Sequence, residues 1–133
     1  MSARESISRI RVRFAETDKF GSAYHGAYFA WFEVGRTDWL RERGMTYLDL
    51  MAKDVHLPVI STEARFLRPV GYDDCIEIRT TLATVTGVRL SFDYELRREN
   101  ETETLTRART EHASVDGTGR PRRFPENILR LLK

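Results

Sequence analysis

Apolar and polar residues alternate at the start of the chain, and a helical spacing then replaces the alternation. In residues 7–15 large apolar side chains occupy every second position and arginines lie between them, which predicts a half-buried strand. Between residues 26 and 43 bulky apolar residues recur every three or four positions, which predicts one long amphipathic helix over 26–43. These residues are Tyr28, Phe29, Trp31, Phe32, Gly35, Trp39 and Leu40.

The rest of the chain is typical of strands. Gly44 is placed to end the long helix, and the sequence TYLD resembles a capping box that starts a short helix over 46–53. Four later stretches carry strand patterns, at 58–67, 73–85, 87–98 and 104–115. Turn residues separate the last strands, at 99–102 and 116–121, and a short helix is predicted over 125–133, with Pro125 at its first position.

This order predicts an α+β domain over 1–133, in which one strand and one long helix precede four strands of an antiparallel meander. A five-stranded antiparallel sheet has two faces, and one helix covers only one of them. Apolar side chains in the strands after residue 73 also need cover. We therefore expect the sheet to wrap round the helix and a second subunit to close the remaining face, which makes the protein a homo-oligomer.

The composition limits the class of protein. The net charge of +2 comes from evenly mixed acids and bases, whereas nucleic-acid binders concentrate positive charge. We expect no membrane insertion, because no stretch reaches the roughly 18 apolar residues of a membrane helix, and no signal peptide, because the N-terminus has no apolar h-region. The single cysteine fits a reducing cytoplasm. One cysteine and three histidines are too few and too scattered for a structural zinc site.

The connection between the first strand and the long helix concentrates candidate chemistry. Glu16 and Asp18 are followed by Gly21, and Tyr24 and His25 come directly before the helix. Taken alone, an aspartate in such a position is an ordinary turn residue. A carboxylate beside the free N–H groups of a helix start also suits nucleophilic or general-base catalysis, with the helix dipole stabilising an anion.

The segment from residue 16 to residue 36 resembles the hot-dog-fold thioesterases, in particular 4-hydroxybenzoyl-CoA thioesterase and the YbgC-like acyl-CoA thioesterases. Their pattern is an acidic residue, any residue, Asp, a glycine three positions on, an aromatic residue often followed by His, and then an aromatic-rich helix with Glu and Arg. The matching residues here are Glu16, Asp18, Gly21, Tyr24, His25, Tyr28, Phe32, Glu33 and Arg36. The stretches 64–74 and 119–128 extend the resemblance to nearly the whole chain.

The resemblance implies a hot-dog fold, a homodimer or homotetramer, no cofactor, and hydrolysis of an acyl thioester to acid and thiol. It implies Asp18 as nucleophile or general base, and the backbone N–H groups of His25 and Gly26 as the oxyanion site. The His25 side chain either orients water, hydrogen-bonds Asp18 or is structural. Glu63 is either a second carboxylate at the cleft or a solvent-facing strand residue. The expected substrate or CoA contacts are Gly21, Tyr24, Tyr28, Glu63, Arg65, Arg68 and Arg89.

Several other polar residues have simpler expected roles. Glu33 and Arg36 lie three apart on one helix face, which favours a buried ion pair near the subunit interface over a contact with the substrate. His56 and His112 are predicted to be loop and strand-surface residues. Cys75 is predicted to be a small core residue.

Three functions stay open at this point. The first is an acyl-CoA thioesterase, and the second is a thioesterase for acyl or polyketide groups on a carrier protein. The third is a hot-dog protein that binds acyl thioesters without hydrolysing them. A hot-dog dehydratase is disfavoured, because those enzymes pair a catalytic His with an acidic residue in another arrangement. The sequence leaves the acyl group open between aryl, short aliphatic and dihydroxynaphthoyl esters.

Overall fold

A computed structural model describes residues 4–133, which form five strands and three helices. In chain order these are β1 (Glu5–Arg11), α1 (His25–Glu42), α2 (Tyr47–Ala52), β2 (Val59–Phe66), β3 (Cys75–Val85), β4 (Arg89–Arg98), β5 (Thr106–Ala113) and α3 (Glu126–Leu132). A 3-10 turn, Phe14–Glu16, separates β1 from the loop before α1. Every predicted element is present, and the helix predicted over 26–43 differs from α1 by one residue at each end.

The strands form one antiparallel sheet in the order β1-β3-β4-β5-β2. β3, β4 and β5 are successive hairpins, as predicted. The predicted four-strand meander is wrong for β2, which pairs with β5 and not with β3. Because most side chains of β2 are exposed, an edge position suits this strand better than a central one. β1 and β2 are therefore the two edges of the sheet.

Helix α1 packs along the inner face of the sheet, because its apolar residues form a single stripe. Phe32 is fully buried and stacks on Tyr94 of β4, with ring centroids 4.7 Å apart. Gly35 marks the closest approach of helix and sheet: a β carbon at this position would lie 2.3 Å from Oγ1 of Thr80. The helix therefore rests directly on the central strands, and its first residue lies at one end of the sheet.

The outer face of the sheet is charged. Its side chains form ion pairs such as Arg109 with Asp93 at 2.6 Å and Arg79 with Glu5 at 3.1 Å, around a groove of about 730 Å³. The expectation that apolar side chains need cover on a second face is therefore wrong, since the outward positions of the strands are polar. Cys75 is half-buried rather than a core residue.

The inner side of β1 differs from its apolar pattern. Phe14 lies beyond the strand, in the 3-10 turn, and is 76% exposed instead of buried. Ser6 and Ser8 are buried against α1, where their hydroxyls donate hydrogen bonds to Glu42 and to Asp38. Satisfied hydroxyls thus occupy core-facing positions that a hydrophobic pattern does not reveal.

The ends of the helices follow the predicted signals. Gly44 has a φ of +85° just after α1, and the side chains of Thr46 and Asp49 each accept a bond from the other's backbone amide, at 3.1 and 3.0 Å. The capping box is therefore confirmed. Pro125 precedes α3 by one residue rather than occupying its first position. Within residues 4–133, no helix has both the length and the apolar character needed to span a membrane.

Candidate active site

The loop before α1 folds as a small hairpin with Asp18 near its tip. Thr17 and Ala23 form an antiparallel bridge, and the Asp18 amide donates to the Ser22 carbonyl at 2.8 Å. Gly21 turns the tip with a φ of +84°, which glycine adopts without a steric penalty. The hairpin therefore returns the chain to the start of α1, close to where it left the 3-10 turn.

A second loop, residues 70–74, supports this hairpin. The Ala23 amide donates to the Val70 carbonyl at 2.7 Å, and the Tyr72 amide donates to the Gly21 carbonyl at 3.2 Å. Backbone hydrogen bonds of this kind need particular positions but no particular side chains. The tip is thus held by a neighbouring loop that leads into β3.

Glu16, at the base of the hairpin, is a buried structural carboxylate. It is 7% exposed, and its oxygens accept hydrogen bonds from the Trp31 indole and from the Arg13 amide, both at 2.8 Å. Burial would raise the pKa of Glu16, but these hydrogen bonds and the Arg13 guanidinium outweigh burial and hold the pKa below its ordinary value. Glu16 therefore ties the hairpin to α1.

Asp18 lies two residues later and is exposed. Its Oδ1 accepts the backbone amide of Phe20 at 2.8 Å, which orients the carboxylate as in an Asx turn. Among residues 4–133 no other group bonds to this carboxylate. Its second oxygen is therefore available to water or to a ligand.

The start of α1 offers free hydrogen-bond donors beside this hairpin. The N–H groups of His25 and Gly26 have no acceptor within the described part of the chain, and the first turn holds no acidic residue. Tyr24, which is 47% exposed, lays its ring across Gly26: a β carbon there would lie 2.9 Å from the ring. The positive end of the helix dipole is therefore open to an anion.

The imidazole of His25 lies flat on the ring of Phe66, the last residue of β2. The two centroids are 4.3 Å apart and the planes differ by 5°. Tyr28, one turn further along α1, is buried and meets Phe66 edge-on at 4.7 Å. The His25 side chain forms no hydrogen bond with Asp18. Of the three alternatives for this side chain, the structure therefore favours orienting water or a structural role.

Three of the other predicted contact residues lie apart from this hairpin within one subunit. Glu63 and Arg65 point to the outer face of the sheet, on the side away from α1. At 3.4 Å per residue β4 is about 30 Å long, and Arg89 begins it at the end remote from the hairpin. Arg68 is exposed, pairs with Glu103 at 3.5 Å and lies two residues before Val70, whose carbonyl accepts the Ala23 amide. The fold thus keeps Arg68 near the hairpin and helix start and separates the other three from them.

A second group of polar residues is buried under the later part of α1. The predicted ion pair between Glu33 and Arg36 is wrong: Glu33 is exposed, and Arg36 bonds the hydroxyl groups of Tyr47 and Tyr94. Although the two residues are three apart, α1 turns Arg36 toward the sheet and Glu33 toward solvent. The guanidinium is therefore held by phenol oxygens and not by a carboxylate.

His112 extends this buried network, and its predicted surface position is wrong. Its Nδ1 donates to the Leu57 carbonyl at 3.0 Å, so Nε2 accepts from the Thr110 hydroxyl at 2.8 Å. The Tyr94 hydroxyl in turn donates to Thr110 at 2.7 Å. Burial lowers the pKa of His112 to about 4 against the weaker effect of the Leu57 bond, and the Arg36 charge also lowers it. His112 is therefore neutral and structural.

Two contacts of the site are absent from the sequence-based prediction. The sequence places Phe66 in a predicted strand and Trp31 in the apolar stripe of the predicted helix, with a role in the core or in an acyl pocket. A weak signal existed for each, because a buried indole N–H needs an acceptor and Phe66 ends a strand whose alternate residues face the helix. Neither signal names the partner, which depends on how β2 and the hairpin meet α1.

The arrangement suits attack on a carbonyl group. An exposed carboxylate supplies a nucleophile or a base, and the open N–H groups of a helix start hold an oxyanion. Within residues 4–133, no three side chains of His, Cys, Asp or Glu are grouped to hold a metal ion. The groups that this site offers for chemistry are a carboxylate and backbone amides.

Comparison of the sequence with known proteins gives a consistent result. Residues 12–132 match the family described as the thioesterase-like superfamily. YbgC of Escherichia coli, an acyl-CoA thioester hydrolase, is 30% identical over 125 residues, which are 93% of this chain and 92% of the relative. The match therefore includes the hairpin, α1 and the whole sheet from β2 to β5.

Solved structures agree with the sequence comparison. A hypothetical protein of Thermus thermophilus, TT1821, superposes with a TM-score of 0.89 at 35% identity and 96% coverage of both chains. The DHNA-CoA thioesterase of Staphylococcus aureus superposes with a TM-score of 0.90 at 29% identity, over 96% of this chain and 87% of the other. The predicted hot-dog fold is confirmed.

Proposed function

Because the chain belongs to the thioesterase-like superfamily, we propose that it hydrolyses acyl-CoA thioesters to a free acid and a thiol. The enzyme class rests on the match over residues 12–132 and on a relative named acyl-CoA thioester hydrolase that aligns with nearly the whole chain. The candidate acyl groups are aryl, short aliphatic and dihydroxynaphthoyl.

Asp18 is the proposed catalytic carboxylate. The observation that supports this role is an exposed carboxylate, with one oxygen free, on the hairpin that ends at an open helix start. Two routes use it. Either the carboxylate attacks the thioester carbon and water then hydrolyses the anhydride, or it takes a proton from the water that attacks. In both routes the C–S bond breaks and the thiolate leaves.

The N–H groups of His25 and Gly26 are the proposed oxyanion site. A thioester oxygen gains negative charge as its carbon becomes tetrahedral, and donors already fixed at a helix start stabilise that charge without reorganising. Gly21 shapes the approach, and Tyr24 and Tyr28 are the proposed contacts for the acyl chain or pantetheine. Tyr28 is 3% exposed, so little of its surface is open to such a contact within one subunit.

The test is a panel of aryl, short aliphatic and dihydroxynaphthoyl CoA esters with detection of free thiol. We expect thiol release from at least one class, and release should fall sharply in Asp18→Asn. Binding of the same esters, measured by equilibrium dialysis, without thiol release would contradict the proposal and favour a binding protein. A preference for esters on a carrier protein over the same esters of CoA would favour the second alternative, a thioesterase for carrier-protein substrates.

The proposed assembly is a homo-oligomer. It is at least a dimer, and the family resemblance implies a tetramer. The support comes from β2, an edge strand with unpaired backbone groups that exposes Val59 at 45% and Ile60 at 46%. Light scattering at micromolar concentration should give at least twice the chain mass. Ile60→Lys should weaken association, whereas Leu48→Lys on α2 serves as a control. A monomer at that concentration would contradict the assembly.

The CoA phosphates are proposed to meet Arg65, Arg68 and Arg89. Within the described residues Arg65 and Arg89 form no ion pair, and Arg68 pairs with Glu103 across exposed side chains. Arg65 on the outer face and Arg89 at the far end of β4 lie away from Asp18 within one subunit, which fits a substrate groove between subunits. The Michaelis constant for the best ester should rise with ionic strength, because salt screens exposed charges. A constant that stays flat with added salt would argue against these contacts.

A further inference from the structure

We propose that Phe66 is a positioning residue that fixes the plane of the His25 imidazole beside the open start of α1. This inference rests on the proposed thioesterase function, in which that end of the helix holds the oxyanion, and it takes the alternative in which the imidazole orients water. Phe66 lies outside the hairpin that carries the predicted site, at the last position of edge strand β2.

The geometry of the stack supports this role. The two rings are parallel to within 5°, at a centroid distance of 4.3 Å. The His25 nitrogens have no hydrogen-bond partner in the described part of the chain, so the contact with Phe66 sets the ring plane. Because Phe66 covers one face of the imidazole, the nitrogens project from the edge of the ring and stay open to water or to a ligand.

Phe66 is itself held in place. Tyr28, which is 3% exposed, packs edge-on against it at 4.7 Å. The chain beyond Phe66 is fixed as well, since the amides of Leu67 and Arg68 both donate to the Leu105 carbonyl, at 2.9 and 3.0 Å. A rigid ring on the sheet edge therefore supports a side chain on the helix, and joins the two elements at the site.

The first test separates binding from turnover. Phe66→Leu keeps an apolar residue but removes the flat surface, which frees the imidazole to rotate at the exposed first position of α1. We expect kcat to fall roughly tenfold to a hundredfold, as for other misplaced catalytic groups, with KM nearly unchanged. Phe66→Tyr keeps the stack and should restore turnover. If Phe66→Leu does not fold, Phe66→Met provides the same comparison with a larger side chain.

A double-mutant cycle tests whether Phe66 acts through His25. His25→Ala should lower turnover, and Phe66→Leu should add no further loss in that background. Equal losses from Phe66→Leu with and without the imidazole would overturn the positioning role and place Phe66 against the substrate. Normal turnover in His25→Ala would overturn it as well.

Proton NMR of the imidazoles tests the stack without any turnover. The chain has three histidines, so His25→Ala assigns the relevant resonances. The ring current of Phe66 should shift the His25 ring protons upfield, and Phe66→Leu should move them back downfield. Unmoved resonances would show that the stack is absent in solution and would overturn the inference.

Phe14→Leu is the matched control. Phe14 is 76% exposed and packs edge-on against Tyr72 at 5.7 Å, without touching His25. The chemical shifts of the His25 ring protons and the value of kcat should be unchanged in this variant. The NMR readout needs no catalysis. Normal turnover in Asp18→Asn would therefore contradict the proposed mechanism, whereas the NMR shifts would still test the contact between Phe66 and His25.

Discussion

Helix α1 carries two polar regions that differ in how their hydrogen bonds are satisfied. At its start, the Asp18 carboxylate, the His25 imidazole and the N–H of Gly26 are exposed and retain free bonding capacity. Under its later part, Arg36 and His112 are buried in a chain of bonds that runs through protein hydroxyls to a backbone carbonyl. The same helix thus presents open polar groups at one place and closed ones at another.

The difference separates groups that serve chemistry from groups that serve folding. A buried polar group without a partner is costly, and in the later region the hydroxyls of Tyr94 and Thr110 and the His112 imidazole bond one another and specify the packing of α1 on the sheet. Within residues 4–133, Nε of Arg36 is the exception in this chain of bonds, since it is buried without a partner. An exposed group with a free donor or acceptor carries no such cost and is ready for a ligand. Substitutions in the two regions should therefore change different measurements, catalysis in the first and stability in the second.

The largest expected effect is on turnover in Asp18→Asn. Asparagine keeps the size and the bond from the Phe20 amide but neither takes up a proton nor attacks as a carboxylate. We expect kcat to fall by about two to four orders of magnitude, the scale of general-base catalysis. Ester binding and melting temperature should change little. Near-normal turnover would show that Asp18 is not the catalytic group and would direct attention to another carboxylate, with Glu63 next, reached from a neighbouring subunit because it points to the outer face of its own sheet.

In the closed region, His112 should make stability depend on pH. The unfolded chain takes up a proton near the ordinary histidine pKa of 6.5, whereas burial holds the pKa of His112 in the folded chain at about 4. The free energy of unfolding should therefore decrease by about 3 kcal/mol as the pH falls from 6.5 to 4. Urea denaturation across this range should show the slope in the native protein and a flatter one in His112→Gln. Identical slopes in the two proteins would exclude His112 as the cause.

Glu16 lies only two residues from Asp18, but its carboxylate is buried and hydrogen-bonded like the groups under the later part of α1. In Glu16→Gln an NH₂ group faces the Trp31 indole or the Arg13 amide, so two donors meet. We expect a loss of about 1–3 kcal/mol in stability, the cost of an unsatisfied buried group, and a far smaller loss of turnover than in Asp18→Asn. The pKa of Glu16 in the folded chain lies below the ordinary value for glutamate. The stabilisation by Glu16 should therefore be lost as the pH falls through that lowered pKa. A Gln variant as stable as the native protein would contradict this role.

The smallest expected effect concerns the exposed arginines. Arg65→Gln should raise the Michaelis constant for the best CoA ester by a factor of about two to five at low salt, since exposed charge pairs contribute under about 1 kcal/mol. The effect should disappear at high salt. Arg11→Gln, which breaks an exposed pair with Asp73, is a control of equal charge. Equal changes in both variants would indicate general attraction and not a phosphate contact.

The residue pattern was enough to predict the helices and strands and the position of the candidate chemistry. Alternation and helical spacing depend on which side chains face the core, so they predicted five strands and α1 to within a few residues. The turn at Gly21 and the capping box of α2 were readable because they are local, each set by the backbone geometry of a few residues. The clustering of Asp18, Tyr24 and His25 followed for the same reason.

Which residues meet across long distances in the chain depends on how the helices and strands pack together. The pairing of β2 with β5, the stack of Phe66 on His25 and the bond from Trp31 to Glu16 join segments whose own patterns do not name a partner. Burial of His112 and the exposure of Glu33 likewise depend on the side from which α1 approaches the sheet. A residue pattern reports that a side chain is polar or apolar, whereas packing decides whether a polar one is enclosed and bonded or left open for a substrate.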